Sequence, residues 1–179
     1  MANYNPKSLK ECLETAFLRS DLVVTTGGLG PTYDDLSLKV CADFFGLTLY
    51  TDENIVKFIQ SYFARTNRVV TENNYKQALV PKGAKVFINN WGTAPGICIV
   101  KDGKCLVMLP GPPRENKPMF EDAVLPYISK YSHSAFFCSN VNILGIGESA
   151  VETKLAKLMT GSTNPSVATY VNDGEVRVK

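Results

Sequence analysis

Apolar residues recur at helical spacing near the start of the chain. Leu9, Cys12, Leu13, Ala16 and Phe17 fall on one face. Asn5-Pro6 precedes them, a capping side chain followed by a residue with no N–H to leave unpaired, so a helix is predicted there. Asp21 leads into LVVTT, a β-branched run that reads as a buried strand ending at Gly27. DDLSLKVCADFF predicts a second helix, stopped by Gly46. A third starts at Thr51 or Asp52, with Ile55, Phe58, Ile59, Tyr62 and Phe63 on its apolar face. TENNYKQAL predicts a shorter fourth helix that ends before Pro81.

Past Pro81 the period changes. KVFIN, GICIV and CLVML read as strands, the last two joined through KDGK, whose Asp102-Gly103 suits a tight hairpin. LPGPPRE is a proline- and glycine-rich loop, and a helix is expected from about Pro118 to Lys130. YSHSAFFCS marks a shift in composition and places a boundary between Tyr131 and Ser134. Beyond it VNIL, GIGES and AVETKLAKLM read as strand, glycine turn and helix, with SVATYVNDGEVRVK as a closing strand pair. Alternating strands and helices before the boundary predict an α/β domain over residues 1–131 with a mainly parallel sheet. Residues 134–179 form a small α+β segment on this reading.

Composition narrows the chemistry. The 179 residues are 45% hydrophobic and 20% charged with a net charge of +2, which argues against nucleic-acid or membrane binding through charge alone. No apolar run is long enough to cross a bilayer. Five cysteines (Cys12, Cys41, Cys98, Cys105, Cys138) lack CxxC spacing and read as reduced, mostly buried thiols of a cytoplasmic protein. The single histidine, His133, lies in a polar stretch and reads as a surface residue, which argues against a Ser-His-Asp triad or a histidine zinc site. Carboxylates, hydroxyls, lysines and backbone amides remain.

TTGGLGPTYDD places a glycine loop between strand and helix, where free N–H groups and the helix dipole attract anions. Asp34 and Asp35 follow at once and would repel phosphate unless a cation stood between. A hard divalent ion such as magnesium resolves the conflict. Helix capping explains the same aspartates without any ligand. GTAPG at 92–96 and LPGPPRE at 109–115 are further loops at strand ends, offering the Thr93 hydroxyl, a closely approaching Gly96 amide and the Glu115 carboxylate. Three such loops in one small domain favour a ligand crevice.

TTGGLGPTYDD, NYKQALVPKGAKVFINNWGTAPG and LPGPPRENKPMF together resemble the CinA family of competence/damage-inducible proteins, in order from about Asn5 to Tyr127. The resemblance implies a three-layer molybdopterin-binding-like fold of the MoaB/MogA type, followed by part of a KH-like segment. It also implies a pyrophosphatase that hydrolyses ADP-ribose or a similar nucleoside diphosphate compound, using magnesium, manganese or cobalt. Thr26, Gly27, Gly28, Gly30 and Thr32 would then line the phosphate site, and Gly92, Thr93, Gly96, Pro110, Gly111 and Pro112 would complete the pocket. Asp34, Asp35 and Glu115 would hold the metal, with Asp34 or Asp35 positioning the attacking water. A domain that binds a pterin or nucleotide without hydrolysis, or one resembling a molybdopterin adenylyltransferase, stays open beside it.

By the same resemblance the chain is shortened at both ends. An opening strand and helix with a Gly-Thr/Asp-Glu motif, and a C-terminal amidase domain, are expected elsewhere in the family. A pocket lacking that motif would be impaired, and an exposed sheet edge leads to the expectation of a homo-oligomer. GIGES resembles the GxxG loop of KH modules, but Glu148 in place of a basic residue argues against nucleic-acid binding. Asn116 replaces the family's usual methionine.

Overall fold

A computed structural model describes residues 5–131 and 137–179. The chain divides into two compact units, Met1–Tyr131 and Ser132–Lys179. His133 and most of the expected boundary lie outside the described residues.

In the first unit, α1 (Pro6–Phe17) starts where Asn5 accepts the N–H of Lys7 at 3.0 Å. β1 (Leu22–Thr26) and α2 (Ser37–Phe44) follow. A short β2 (Leu49–Thr51) precedes α3 (Glu53–Arg65), whose cap is Asp52, accepting from Asn54 N at 2.8 Å. Glu72–Ala78 is a 3-10 segment rather than an α-helix. Its start is closed by Asn74 Oδ1, which accepts from both the N–H and the hydroxyl of Thr71. β3 (Leu79–Pro81), β4 (Lys85–Phe87), β5 (Gly96–Lys101) and β6 (Lys104–Leu109) complete the strands. The last helical run begins earlier than expected, as α4 (Pro113–Met119), and passes through a π turn (Phe120–Val124) into α5 (Leu125–Ile128). Pro113 suits a first turn, and Pro118 cannot donate to the ladder, which marks where the regular helix gives way.

The main sheet has the order β1-β6-β5-β4. Only β1 and β6 are parallel; β6–β5 and β5–β4 are antiparallel, so the sheet is mixed rather than mainly parallel. The reason lies in the Asp102-Gly103 hairpin, which forces β5 and β6 to run in opposite directions.

Alternation along β5 and β6 builds a three-layer core. Ile97, Ile99, Leu106 and Met108 face Leu13, Phe17, Cys41 and Phe45 from the α1 and α2 side. Cys98, Val107 and Leu109 face Met119 and Val124 on the other side. Each such buried aliphatic side chain contributes about 1.5–3 kcal/mol. A third cluster joins Ile55 and Ile59 of α3 to Ala78 and Val80.

β1 departs from its expected burial. Among the described residues its only neighbour is β6, and its outward positions Leu22 and Val24 are 41% and 43% exposed. The thiols also differ: Cys41 and Cys98 are buried, Cys105 is half-buried, and Cys12 and Cys138 are exposed.

The second unit contains β7 (Val141–Leu144), α6 (Glu148–Gly161), β8 (Thr169–Asn172) and β9 (Glu175–Val178), with an antiparallel sheet in the order β7-β9-β8. Its small core holds Val151 and Val176.

Candidate functional site

The topology gathers three loops at one end of the main sheet. β1 and β6 run parallel, so Gly27–Gly30 and Pro110–Pro112 leave from the same edge. β5 runs the opposite way, which brings its incoming loop, Gly92–Pro95, to that edge too. Together they border a cavity of about 450 Å³, within the roughly 300–1,000 Å³ of small-molecule sites.

Gly27 and Gly28 have φ of +88° and +70°, a conformation that favours glycine. The N–H of Gly27 donates to Leu109 O at 2.9 Å, which ties the first loop to the end of β6. A Cβ on Gly111 would lie in ordinary contact with Gly27 Cα at 3.5 Å, so the first and third loops adjoin. Among the described residues, the N–H groups of Gly28, Leu29, Gly30 and Gly111 make no hydrogen bond within the protein. Four unengaged amides in loops that border one cavity suit an anion with several oxygens, such as phosphate.

Asp35 borders the cavity and Asp34 does not. Asp35 Oδ2 accepts from the Thr32 N–H at 2.9 Å and lies 2.6 Å from the Thr32 hydroxyl. That hydroxyl also reaches Asp34 Oδ1. The bond from Thr32, joined by one from its own backbone N–H, holds the exposed Asp34 carboxyl below the usual carboxylate range. Neither aspartate caps α2, whose N-cap is Leu36 with no side-chain bond. Helix capping is therefore not what these residues do.

Glu115 stands at the start of α4 and is buried, 9% exposed. Asn89 holds it: the Asn89 amide donates to Glu115 Oε2 at 2.8 Å and to Ala94 O at 2.9 Å, while Asn89 Oδ1 accepts from Trp91 N. One fully buried amide thus fixes both the carboxylate and the Trp91–Ala94 loop. Asn116 donates to Pro110 O and Gly111 O at 3.1 and 2.9 Å, bracing the third loop.

Of the residues expected from sequence, Gly27, Gly28, Gly30, Asp35, Gly92, Thr93, Pro110, Gly111, Pro112 and Glu115 come together around the cavity. Thr26, Thr32, Asp34 and Gly96 do not. Thr26 is an exposed ladder residue paired with Leu109. Thr32 is occupied with the aspartates, and faces a neighbouring hollow instead. Gly96 is buried inside β5, where a Cβ would meet Met119 Sδ at 2.5 Å, so packing specifies it. Asn89, Arg68, Gln77 and Arg114 were missed. An asparagine pair at the end of an apolar strand signals Asn89, but nothing local marks Arg68 or Gln77 as lining the same cavity as Gly27.

No group of three or more His, Cys, Asp or Glu that could hold a metal occurs among the described residues. The expected trio of Asp34, Asp35 and Glu115 is therefore not assembled; two of its carboxylates border the cavity. A hard divalent ion that keeps waters and takes phosphate oxygens needs only one or two protein carboxylates, so the oxygen donors of Asp35 and Glu115 fit it. Arg68 and Arg114 also line the cavity and supply positive charge.

A family model described as a probable molybdopterin binding domain matches residues 3–130. A second, described as the damage-inducible protein CinA KH domain, matches residues 139–179. The chain belongs to the CinA family. CinA-like proteins of Dictyoglomus turgidum and Dictyoglomus thermophilum are 47% and 46% identical over 96% of the chain. The chain spans 42% of the length of each of these two relatives. A crystal structure of CinA from Thermoplasma acidophilum is 31% identical, with a TM-score of 0.59 over 72% of both chains. The cavity accordingly belongs to a CinA molybdopterin-binding-type domain, and β7 to β9 with α6 to its KH segment. No described helix is long and apolar enough to cross a membrane.

Proposed function

We propose that this cavity binds a phosphorylated organic ligand and, with a divalent ion, hydrolyses a diphosphate of the ADP-ribose type to AMP and ribose 5-phosphate. The observation that carries the reading is the set of four unengaged loop amides beside two carboxylates and two guanidinium groups. The amides of Gly28, Leu29, Gly30 and Gly111 hold phosphate oxygens and steady charge that develops on them. Asp35 and Glu115 hold the ion, which when bound neutralises phosphate charge and acidifies a water. Thr32 engages Oδ2 of Asp35, and the other oxygen of this cavity-lining carboxylate would accept the proton of the attacking water. The water oxygen bonds to phosphorus as the bridging P–O bond breaks.

The test is AMP release from ADP-ribose with magnesium, manganese or cobalt, for the wild type, Asp35→Asn and Asp34→Asn. The expected result is a loss of about 10²- to 10⁴-fold for Asp35→Asn and near-normal turnover for Asp34→Asn. Equal losses in both variants would reject this assignment of roles.

A binding domain without hydrolysis is the second reading, favoured by the presence of two rather than three carboxylates at the cavity. It predicts ligand binding by calorimetry with no AMP formed by any of the three proteins.

A further inference from the structure

Gln77 lies on the 3-10 segment, lines the cavity, and directly precedes Ala78 of the Ile55–Ile59–Ala78–Val80 cluster. It is 5% exposed, and its Oε1 is sealed from solvent without a hydrogen-bond partner. Among the described residues it is the one buried side-chain nitrogen or oxygen left without a partner. An unmet buried acceptor costs about 1–3 kcal/mol, so a group kept this way on a cavity wall points to a donor that arrives from outside. Asn89, equally buried, is the contrast: its oxygen and nitrogen are both engaged.

The rest of that wall fits the organic part of a ligand. Tyr62 and Phe63 of α3 line the cavity with ring centroids 6.2 Å apart, and Trp91 lines it from the loop before β5. Aromatic walls with one unsatisfied amide describe a place for a flat or sugar-like group that carries an N–H or O–H. The glycine loops and Arg114 serve the phosphates.

We infer that Gln77 is a specificity-determining residue: its carboxamide receives a hydrogen-bond donor, a ring amine or a sugar hydroxyl, from the organic half of the phosphorylated ligand. This rests on the reading that the cavity takes such a ligand. Gln77 lines the cavity, and the terminal torsion of glutamine is soft, so its carboxamide can turn to meet a donor at little cost.

Gln77→Met keeps the length and removes the hydrogen bonding. Calorimetry would compare wild type and variant on ADP-ribose, its hypoxanthine counterpart and inorganic pyrophosphate, each with magnesium, beside a melting curve. The inference expects about 10- to 100-fold weaker ADP-ribose binding, unchanged pyrophosphate binding, and a melting temperature equal to or above wild type. If the hypoxanthine compound binds both proteins alike, the donor is the ring amine; if it loses as much as ADP-ribose, the donor is a sugar hydroxyl. Equal ADP-ribose affinity in the two proteins, a parallel loss of pyrophosphate binding with a lower melting temperature, or wild type binding pyrophosphate as tightly as ADP-ribose would each overturn it. Wild type binding none of the three would remove the proposed function as well.

Discussion

A Cβ on Gly92 would stand 2.1 Å from Glu115 Oε2 and 2.9 Å from Asn89 Nδ2, and one on Gly30 would stand 2.5 Å from Asp35 Oδ2. Real atoms do not approach so closely, so Gly92→Ala must push Glu115 away from the amide that holds it. The expected result is a loss of about 1–3 kcal/mol in urea unfolding together with weaker pyrophosphate binding. Gly83 is the control. It has φ of +84° but nothing within 4 Å of a Cβ, so Gly83→Ala should cost only its backbone strain, about 1–2 kcal/mol, and leave binding intact. Asp34 gives a pH test. Its carboxyl is held low in the folded protein by Thr32, so its contribution is present above the unfolded value and is lost as pH falls through the lower folded one. The difference in stability between wild type and Asp34→Asn should be level from pH 5 to 7 and shrink below about pH 3.9. A difference that widens in acid would mean the carboxyl is not stabilised as an anion.

Elements set the reactivity of the thiols. Cys41 sits inside α2 against the sheet, and burial pushes its thiol up to about 12. On the β5–β6 hairpin the Cys98 and Cys105 sulfurs are 3.5 Å apart. The hydrogen bond to Cys105, with burial behind it, raises the Cys98 thiol, and accepting that bond lowers Cys105. Iodoacetamide at pH 8 should therefore modify the exposed Cys12 and Cys138 first and Cys105 next. Cys41 and Cys98 should stay unmodified until denaturant is added, as read by peptide mass spectrometry. Early labelling of Cys98 would show that the hairpin opens in the native state. The same hairpin explains part of the site, because reversing the chain at Asp102-Gly103 carries β5 back so that its entry loop meets the exits of β1 and β6.

Across the whole molecule, every cavity residue belongs to the unit Met1–Tyr131. Hydrogen exchange on the full chain with magnesium and pyrophosphate should slow around 27–30, 91–94 and 110–115 and leave 141–178 unchanged. Protection spread into the second unit would show that it takes part in binding. The 3-10 segment should be protected by ADP-ribose more than by pyrophosphate if Gln77 meets the organic half.

Much of this was legible along the chain, for a physical reason: short-range rules act on neighbours in sequence. Helical spacing, the Asn5 and Asp52 caps, the Asp102-Gly103 turn and the glycine loops each depend on residues a few positions apart, and so do the loop motifs that identify the family. The tertiary structure decided what depends on distant partners. It separated Asp35 from Asp34: the Thr32 hydroxyl reaches both, but of the two only Asp35 borders the cavity. It assigned Gly96 to packing against Met119 and Gly92 to Glu115. It brought Gln77 and Arg68 to the cavity of the glycine loops and Asn89 to Glu115, since a mixed sheet fixes which strand ends share an edge and nothing within one element records that choice.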